Sequence, residues 1–171
     1  MQDAERNSRG GAETRRELDD VTGAVVDVAV KLHQGLGPGL LESVYEAVLA
    51  RDLVRRGLRV ERQKVVRFEY EGMEFEEGLR VDLLVEGCVV VELKSVEKLA
   101  AVYKKQVLTY LRLMQLPVGL LLNFGASTMK EGLQRIVNNL NPSASPRLRV
   151  NQKQRQDTRG SRGGAETPRG T

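Results

Sequence analysis

The sequence predicts an α/β fold, a mixed (α+β) sheet with helices on its faces, and three observations predict it. Four segments carry apolar residues at helical spacing and four others read as strands, in the order α-α-β-β-β-α-β-α. The three consecutive strands are joined by short polar turns, which calls for antiparallel pairing. The later strand–helix–strand segment calls for a parallel crossover. The chain of 171 residues is 40% hydrophobic and 29% charged, enough for one core and not for two full domains.

Each element has a local reason. Residues 21–36 place Val25, Val28, Ala29 and Leu32 on one helical face and stop at Gly35 and Gly37. After Pro38-Gly39 a second helix runs over 40–56 and ends at Gly57, a glycine C-cap. Residues 59–70 alternate apolar and polar side chains (Val66, Phe68, Tyr70) and read as a strand. Glu71-Gly72 is a turn, and residues 74–85 and 88–94 are two more strands around Glu86-Gly87. Residues 99–114 are helical, 118–124 form a short apolar strand, and 129–139 form a last helix before Asn141, Pro142 and Pro146 break the pattern.

Aromatics are only 4% and there is no Trp, so the core is aliphatic. The apolar runs are too short to span a bilayer, which needs about 18 or more residues. The polar N-terminus carries no secretory h-region, and the lone Cys88 reads as a small buried hydrophobe in a reducing compartment; a cytoplasmic protein is expected. The net charge of +4 is unevenly placed. Arg147, Arg149, Lys153, Arg155, Arg159, Arg162 and Arg169 are opposed by Asp157 and Glu166 alone, and residues 18–146 are slightly acidic. The basic balance is thus a property of the C-terminal stretch. The heptapeptide SRGGAET occurs at both 8–14 and 161–167. These Gly- and Arg-rich stretches cannot bury an apolar face, so residues 1–17 and 141–171 are expected as disordered tails around a domain at 18–140. The C-terminal tail is either a basic arm for nucleic acid or a plain extension.

Chemistry is expected where polar groups interrupt apolar runs. In CVVVELK (88–94), Glu92 and Lys94 share one face of a buried strand, and LRVDLLV places Asp82 among aliphatics on the preceding strand. Buried charges need a partner, a metal or solvent from a cleft. Two acids on adjacent strands beside a lysine suit a divalent ion; strand-end charges or an Asp82–Lys94 ion pair are the plain alternative. Register decides between them. A two-residue loop at Glu86-Gly87 turns Asp82 away from Glu92, whereas a three-residue loop puts Asp82, Glu92 and Lys94 on one face. Glu42 heads a partly apolar line with Leu49 and Leu53, though an acid in a first helical turn is also favoured by the dipole. Gln106 sits mid-stripe among Leu99, Val102, Tyr110 and Leu113, where its amide needs a partner. His33 ends the first helix, where a cation suits the dipole. Lys104, Lys105 and Arg112 read as a solvated face or phosphate contacts.

Taken together these motifs resemble a known family. GLLESVY at 39–45 fits GxxExxY, preceded by His33 and LGP at 36–38. Asp82 with Glu92-Leu93-Lys94 is similar to the D…ExK core of the PD-(D/E)XK nuclease superfamily, to which GxxExxY proteins are assigned, and Gln106 and VGLLLNF (118–124) extend the likeness over about residues 20–139. The resemblance implies a restriction-endonuclease-like αβββαβ core with flanking helices. It implies hydrolysis of DNA phosphodiesters with Mg²⁺ or Mn²⁺ as cofactor. Asp82, Glu92, Lys94, Glu42 and Gln106 are then the catalytic set, with Asp82, Glu92 and Glu42 as metal ligands. A catalytically silent nuclease-like module that binds nucleic acid or a protein is the second expectation. DNA is the expected partner, with the basic stretch from Arg147 to Arg169 as one route of contact, and no membrane partner is expected.

Overall fold

The computed structural model describes residues 2–138 and 148–149. Helix α1 spans Gln2–Leu36, α2 Glu42–Arg55 and α3 Ala101–Met114. The strands are β1 Val60–Tyr70, β2 Met73–Val85, β3 Val89–Lys94, β4 Val118–Asn123, β5 Leu133–Val137 and β6 Leu148–Arg149, with a short helix, α4, at Met129–Gly132. They form one six-stranded sheet in the order β5-β4-β3-β2-β1-β6. Only β3 and β4 pair in parallel, through the α3 crossover; every other neighbour is antiparallel. This is the mixed sheet the segment order predicts. Among the described residues no helix is long and apolar enough to cross a membrane.

Strand parity sorts the core into two layers. Leu83, Val85, Val89, Val91, Leu93, Leu120 and Leu122 meet Val25, Val28 and Leu32 of α1 and Tyr45, Leu49 and Leu53 of α2. Leu84, Val90, Leu121 and Ile136 meet Val107, Tyr110 and Leu111 of α3 on the other face. Both faces of β3 and β4 are covered, which is why their sequences are continuously apolar. The same parity puts Glu92 and Lys94 on the α3 side. Helix α3 lies close on β4: a Cβ on Gly119 would stand 2.7 Å from Val107 Cγ1 and 3.3 Å from the Val90 carbonyl.

Two expectations change. The stretch 129–139 is not one helix: after α4 the chain extends as β5 along the free edge of β4, from Val118↔Val137 to Leu122↔Leu133. Open ladder groups on an edge strand and the β-branched Ile136 and Val137 outweigh a helical pattern of this length. Residues 2–17, expected as a tail, have helical backbone continuous with α1; Ala, Glu and Arg are good helix formers and prevail over Gly10 and Gly11. The expected C-terminal tail at 141–171 lies outside the described residues except for β6, which pairs Leu148 with Tyr70 and Arg149 with Glu69.

Candidate active site

The β2–β3 pairing runs Leu83↔Val91, Leu84↔Val90, Val85↔Val89. This is the three-residue loop, residues 86–88, that a shared face requires, and one step further along it Asp82 stands opposite Glu92. Glu86 and Gly87 both take left-handed backbone, with φ of 50° and 65°. Gly87 does so without steric cost; Glu86 is held by its own carboxylate, which accepts from the Arg59 N–H at 2.7 Å and from the Arg59 guanidinium.

Beyond Leu83↔Val91 the Asp82 side chain takes over from the backbone. Its Oδ2 accepts from the Leu93 N–H at 2.9 Å and its Oδ1 from the Gln63 amide at 3.2 Å. Glu92 is 3% exposed. Its Oε1 accepts from Lys94 Nζ at 2.7 Å, and its Oε2 is buried with no hydrogen-bond partner. Lys94 Nζ also donates to the Leu93 carbonyl at 2.9 Å and stands 5.3 Å from the centroid of the Tyr103 ring. The ion pair of the site is therefore Lys94–Glu92, not Lys94–Asp82.

The first-helix loop delivers Glu42. Gly39 has φ 107°, a conformation that favours glycine, and the buried Tyr45 pins the loop by donating to the Gly37 carbonyl at 2.6 Å and accepting from the Leu40 N–H at 3.2 Å. The Tyr45 ring stacks on Phe124 at 4.3 Å. Helix α2 then begins at Glu42, whose Oε1 accepts from the Ser95 N–H at 2.9 Å, directly after Lys94. Asn123, the parallel neighbour of Lys94, fixes the next residue: its amide donates to the Val96 carbonyl at 2.8 Å and its oxygen accepts from the Val96 N–H at 3.0 Å. The Gly-x-x-Glu-x-x-Tyr spacing is thus a turn, an acid at a helix start, and the pin that fixes both.

Gln106 donates its amide to the hydroxyl of Tyr110, one turn along α3. His33, near the end of α1, is 7% exposed, bonded through Nε2 to the Ala126 carbonyl at 2.9 Å and stacked near Phe124.

Electrostatics tie these groups into one site. Burial, then the field of Asp82, pushes the Glu92 carboxyl up to about 7, and Glu42 adds to the rise. Burial raises Asp82 as well, against its bond to the Leu93 N–H and the charge of Lys94. Burial would lower Lys94, but its bond to Glu92 and the fields of Glu92, Asp82 and Glu42 outweigh that and hold it above its ordinary value. Burial raises Tyr110, and Glu92 and Asp82 both add to it. The placement brings Asp82, Glu92 and Lys94 together, with Glu42 and the Gln106–Tyr110 pair within their electrostatic reach.

The donor set suits a hard divalent cation: carboxylate oxygens on adjacent strands, one of them an orphaned buried atom. A third acid is not closed around it. Among the described residues no group of three or more His, Cys, Asp or Glu is gathered as a metal site. The reason is local, since Ser95 holds Glu42 Oε1 and Lys94 holds Glu92 Oε1.

A family model of the PD-(D/E)XK nuclease superfamily matches residues 19–136. The chain belongs to that superfamily. The order α2-β1-β2-β3-α3-β4 accords with the superfamily's restriction-endonuclease-like core. PD-(D/E)XK nucleases are generally dependent on a divalent metal, and a nuclease-like role on nucleic acid follows for this chain in general terms. Neither a curated protein nor a solved structure matches it.

Several residues of this PD-(D/E)XK site escape a reading of the sequence. Gln63 has φ 49° inside β1 and donates to both Asp82 and, at 2.6 Å, Glu46 Oε2. Glu46 is 6% exposed and also accepts from Arg62 Nε at 2.8 Å. Their signal is faint: Glu46 lies one helical turn after Glu42, and Tyr110 one turn after Gln106. Gln63 has none, because its position depends on the β1–β2 register.

Proposed function

We propose that residues 18–140 form a Mg²⁺- or Mn²⁺-dependent nuclease of the GxxExxY kind that hydrolyses phosphodiester bonds in DNA. The observation that carries this reading is the buried, unpartnered Glu92 Oε2 beside Asp82, with Lys94 bonded to the other oxygen of the same carboxylate. Asp82 and Glu92 would hold the ion, with Glu42 completing the shell. A divalent ion bound there supplies a more acidic water and neutralises phosphate charge.

The protein's own groups supply the rest. The Leu93 N–H and the Gln63 amide fix the Asp82 carboxylate before substrate arrives, so no reorganisation is needed at the moment of reaction. Lys94, bonded to Glu92 at 2.7 Å, would either orient and deprotonate the attacking water or stabilise the negative charge that builds on the phosphate oxygens in the transition state. Gln106 and Tyr110 offer an amide oxygen and a hydroxyl at the border of the cleft.

A second reading has one observation in its favour. Lys94 and Ser95 already occupy oxygens of Glu92 and Glu42, as suits a silent nuclease-like module that binds nucleic acid or a protein. Plasmid nicking with Mg²⁺ or Mn²⁺ separates the two. Nicking by the wild type that is lost in Asp82→Ala and Lys94→Ala supports the enzyme. Equal nicking by all three proteins marks a contaminant, and no nicking with metal-independent DNA binding supports the module.

A further inference from the structure

From Lys98 to Lys130 the chain carries five cations (Lys98, Lys104, Lys105, Arg112, Lys130) and no Asp or Glu. This break in an otherwise mixed pattern falls on α3. Elsewhere cations meet acids: Arg51 and Arg55 meet Asp52, Arg56 meets Asp27, Arg59 meets Glu86, Arg62 meets Glu46, Arg67 meets Glu76 and Arg135 meets Asp19. Among the described residues, Lys98, Lys104, Lys105 and Arg112 have no ion pair, and all four are exposed. Lys98 and other unpaired cations, such as Lys31 and Arg80, have acids close by in sequence at Glu97, Asp27 and Asp82, whereas Lys104, Lys105 and Arg112 have none. The slightly acidic domain therefore concentrates uncompensated positive charge on one helix.

That helix is also the one that borders the cleft. Tyr103, Gln106 and Tyr110 lie along one flank of α3, beside Lys94, Glu92 and Asp82. Lys104, Lys105 and Arg112 follow around the helix on its outward side. Beside them a shallow cavity of about 440 Å³ is lined by Leu99, Ala101, Lys104, Lys105, Leu108 and Gln134. Lysine stems over an apolar floor with free ammonium heads fit a chain of phosphates and sugars.

We propose that the outward face of α3, with Lys104, Lys105 and Arg112, is the track that holds the phosphate backbone of the nucleic acid whose scissile bond enters the Asp82–Glu92–Lys94 cleft. The inference rests on the nuclease reading for the identity of the polyanion, and it places the main electrostatic contact on the folded domain and not on the basic C-terminal stretch. The contact is sequence-independent, since backbone phosphates carry no base information.

The test is DNA binding by the full chain in EDTA, which separates binding from cleavage. The probes are a labelled 20-mer single strand and its duplex over a salt series. Lys104→Gln/Lys105→Gln/Arg112→Gln should weaken binding at least tenfold at 0.1 M salt. It should lower the salt slope by about 2–3, close to one unit for each lost phosphate contact. Lys31→Gln should change neither, and the Mn²⁺-induced rise in melting temperature should survive in the triple variant, showing that fold and cleft are intact. An unchanged slope in the triple variant overturns the proposal, as does loss of the slope on deleting residues 147–171 instead. Absence of DNA binding together with α3-dependent binding to anionic phospholipid vesicles also overturns it. DNA binding that needs α3 without any metal-dependent nicking would uphold the track and remove the nuclease reading, so the two fail separately.

Discussion

Gln63 and Asp82 face each other across the β1–β2 ladder, between the pairs Arg62↔Leu83 and Lys64↔Val81. Gln63 takes φ 49° there, a backbone state that costs a non-glycine residue about 1–3 kcal/mol. Its amide spans from Glu46 on α2 to Asp82 on β2. The strained strand residue couples a helix to the cleft. Gln63→Gly would suit the backbone yet remove the amide, and Gln63→Ala would lose the amide and keep the strain. Both are expected to weaken Mn²⁺ binding about 10- to 100-fold, the usual scale for groups that orient metal ligands. Gln63→Gly should be the more stable of the two. Calorimetric Mn²⁺ titration of both variants checks this; wild-type affinity in both would remove Gln63 from the support of the site.

Glu92 predicts a pH-dependent stability. Its carboxyl lies at about 7 in the folded protein against an ordinary 4.5. The folded state therefore binds that proton more tightly than the unfolded chain does. The charged form is a folding penalty that is absent below about pH 4.5, grows up to about pH 7 and is complete above it. Metal-free protein should lose on the order of 3 kcal/mol of stability from this group as pH rises through that window. Glu92→Gln should flatten the profile. Urea unfolding at pH 5 and pH 8 measures it, and a wild type with the same slope as Glu92→Gln would contradict the assignment. Mn²⁺ should raise the melting temperature more at pH 8 than at pH 5, because the ion must displace the proton.

Lys94 and Glu92 form the most buried ion pair of the site, with side-chain exposures of 13% and 4%. Removing one partner leaves the other charge buried, which costs about 3–5 kcal/mol. Lys94→Met should be destabilised by that amount at pH 8 and by clearly less at pH 5, where Glu92 takes up a proton. Lys94→Met/Glu92→Gln should regain most of the loss. A double-mutant cycle from urea denaturation at both pH values provides the check. Additive losses in the cycle would mean that the pair contributes nothing beyond its separate groups.

The trio Asp82, Glu92 and Lys94 was legible in the sequence because each charge interrupts an aliphatic strand. The loop that sets them on one face could be posed as a question of parity, and the backbone answers it through Glu86 and Gly87. Strand β5 was not legible: Leu133, Ile136 and Val137 carry apolar spacing that serves a helix or an edge strand, and only the open edge of β4 selects between them. Gln63 and Glu46 were hidden for a related reason. They lie 16 or more positions from the groups they touch, and their contacts exist only once α2 packs on the β1–β2 hairpin. Glu42 was legible as an anomaly, but its link to Ser95, 53 residues away, required the α1–α2 loop to be placed.

That loop yields the last prediction. Tyr45→Phe keeps the ring and its stacking on Phe124 but removes the hydroxyl that satisfies the Gly37 carbonyl and the Leu40 N–H. Leaving those backbone groups without a partner should cost about 1–3 kcal/mol. Glu42 begins α2 immediately after the pinned loop, so its carboxylate should lose its fixed position by Ser95. If Glu42 belongs to the metal shell, Tyr45→Phe and Glu42→Gln should weaken Mn²⁺ binding in parallel, and Tyr45→Phe on a Glu42→Gln background should add little further loss. The measurements are chemical denaturation for stability and Mn²⁺ titration for the site. A Tyr45→Phe variant that is less stable but binds Mn²⁺ as the wild type does, alongside a Glu42→Gln variant of unchanged affinity, would exclude Glu42 and leave Asp82 and Glu92 as the only protein ligands.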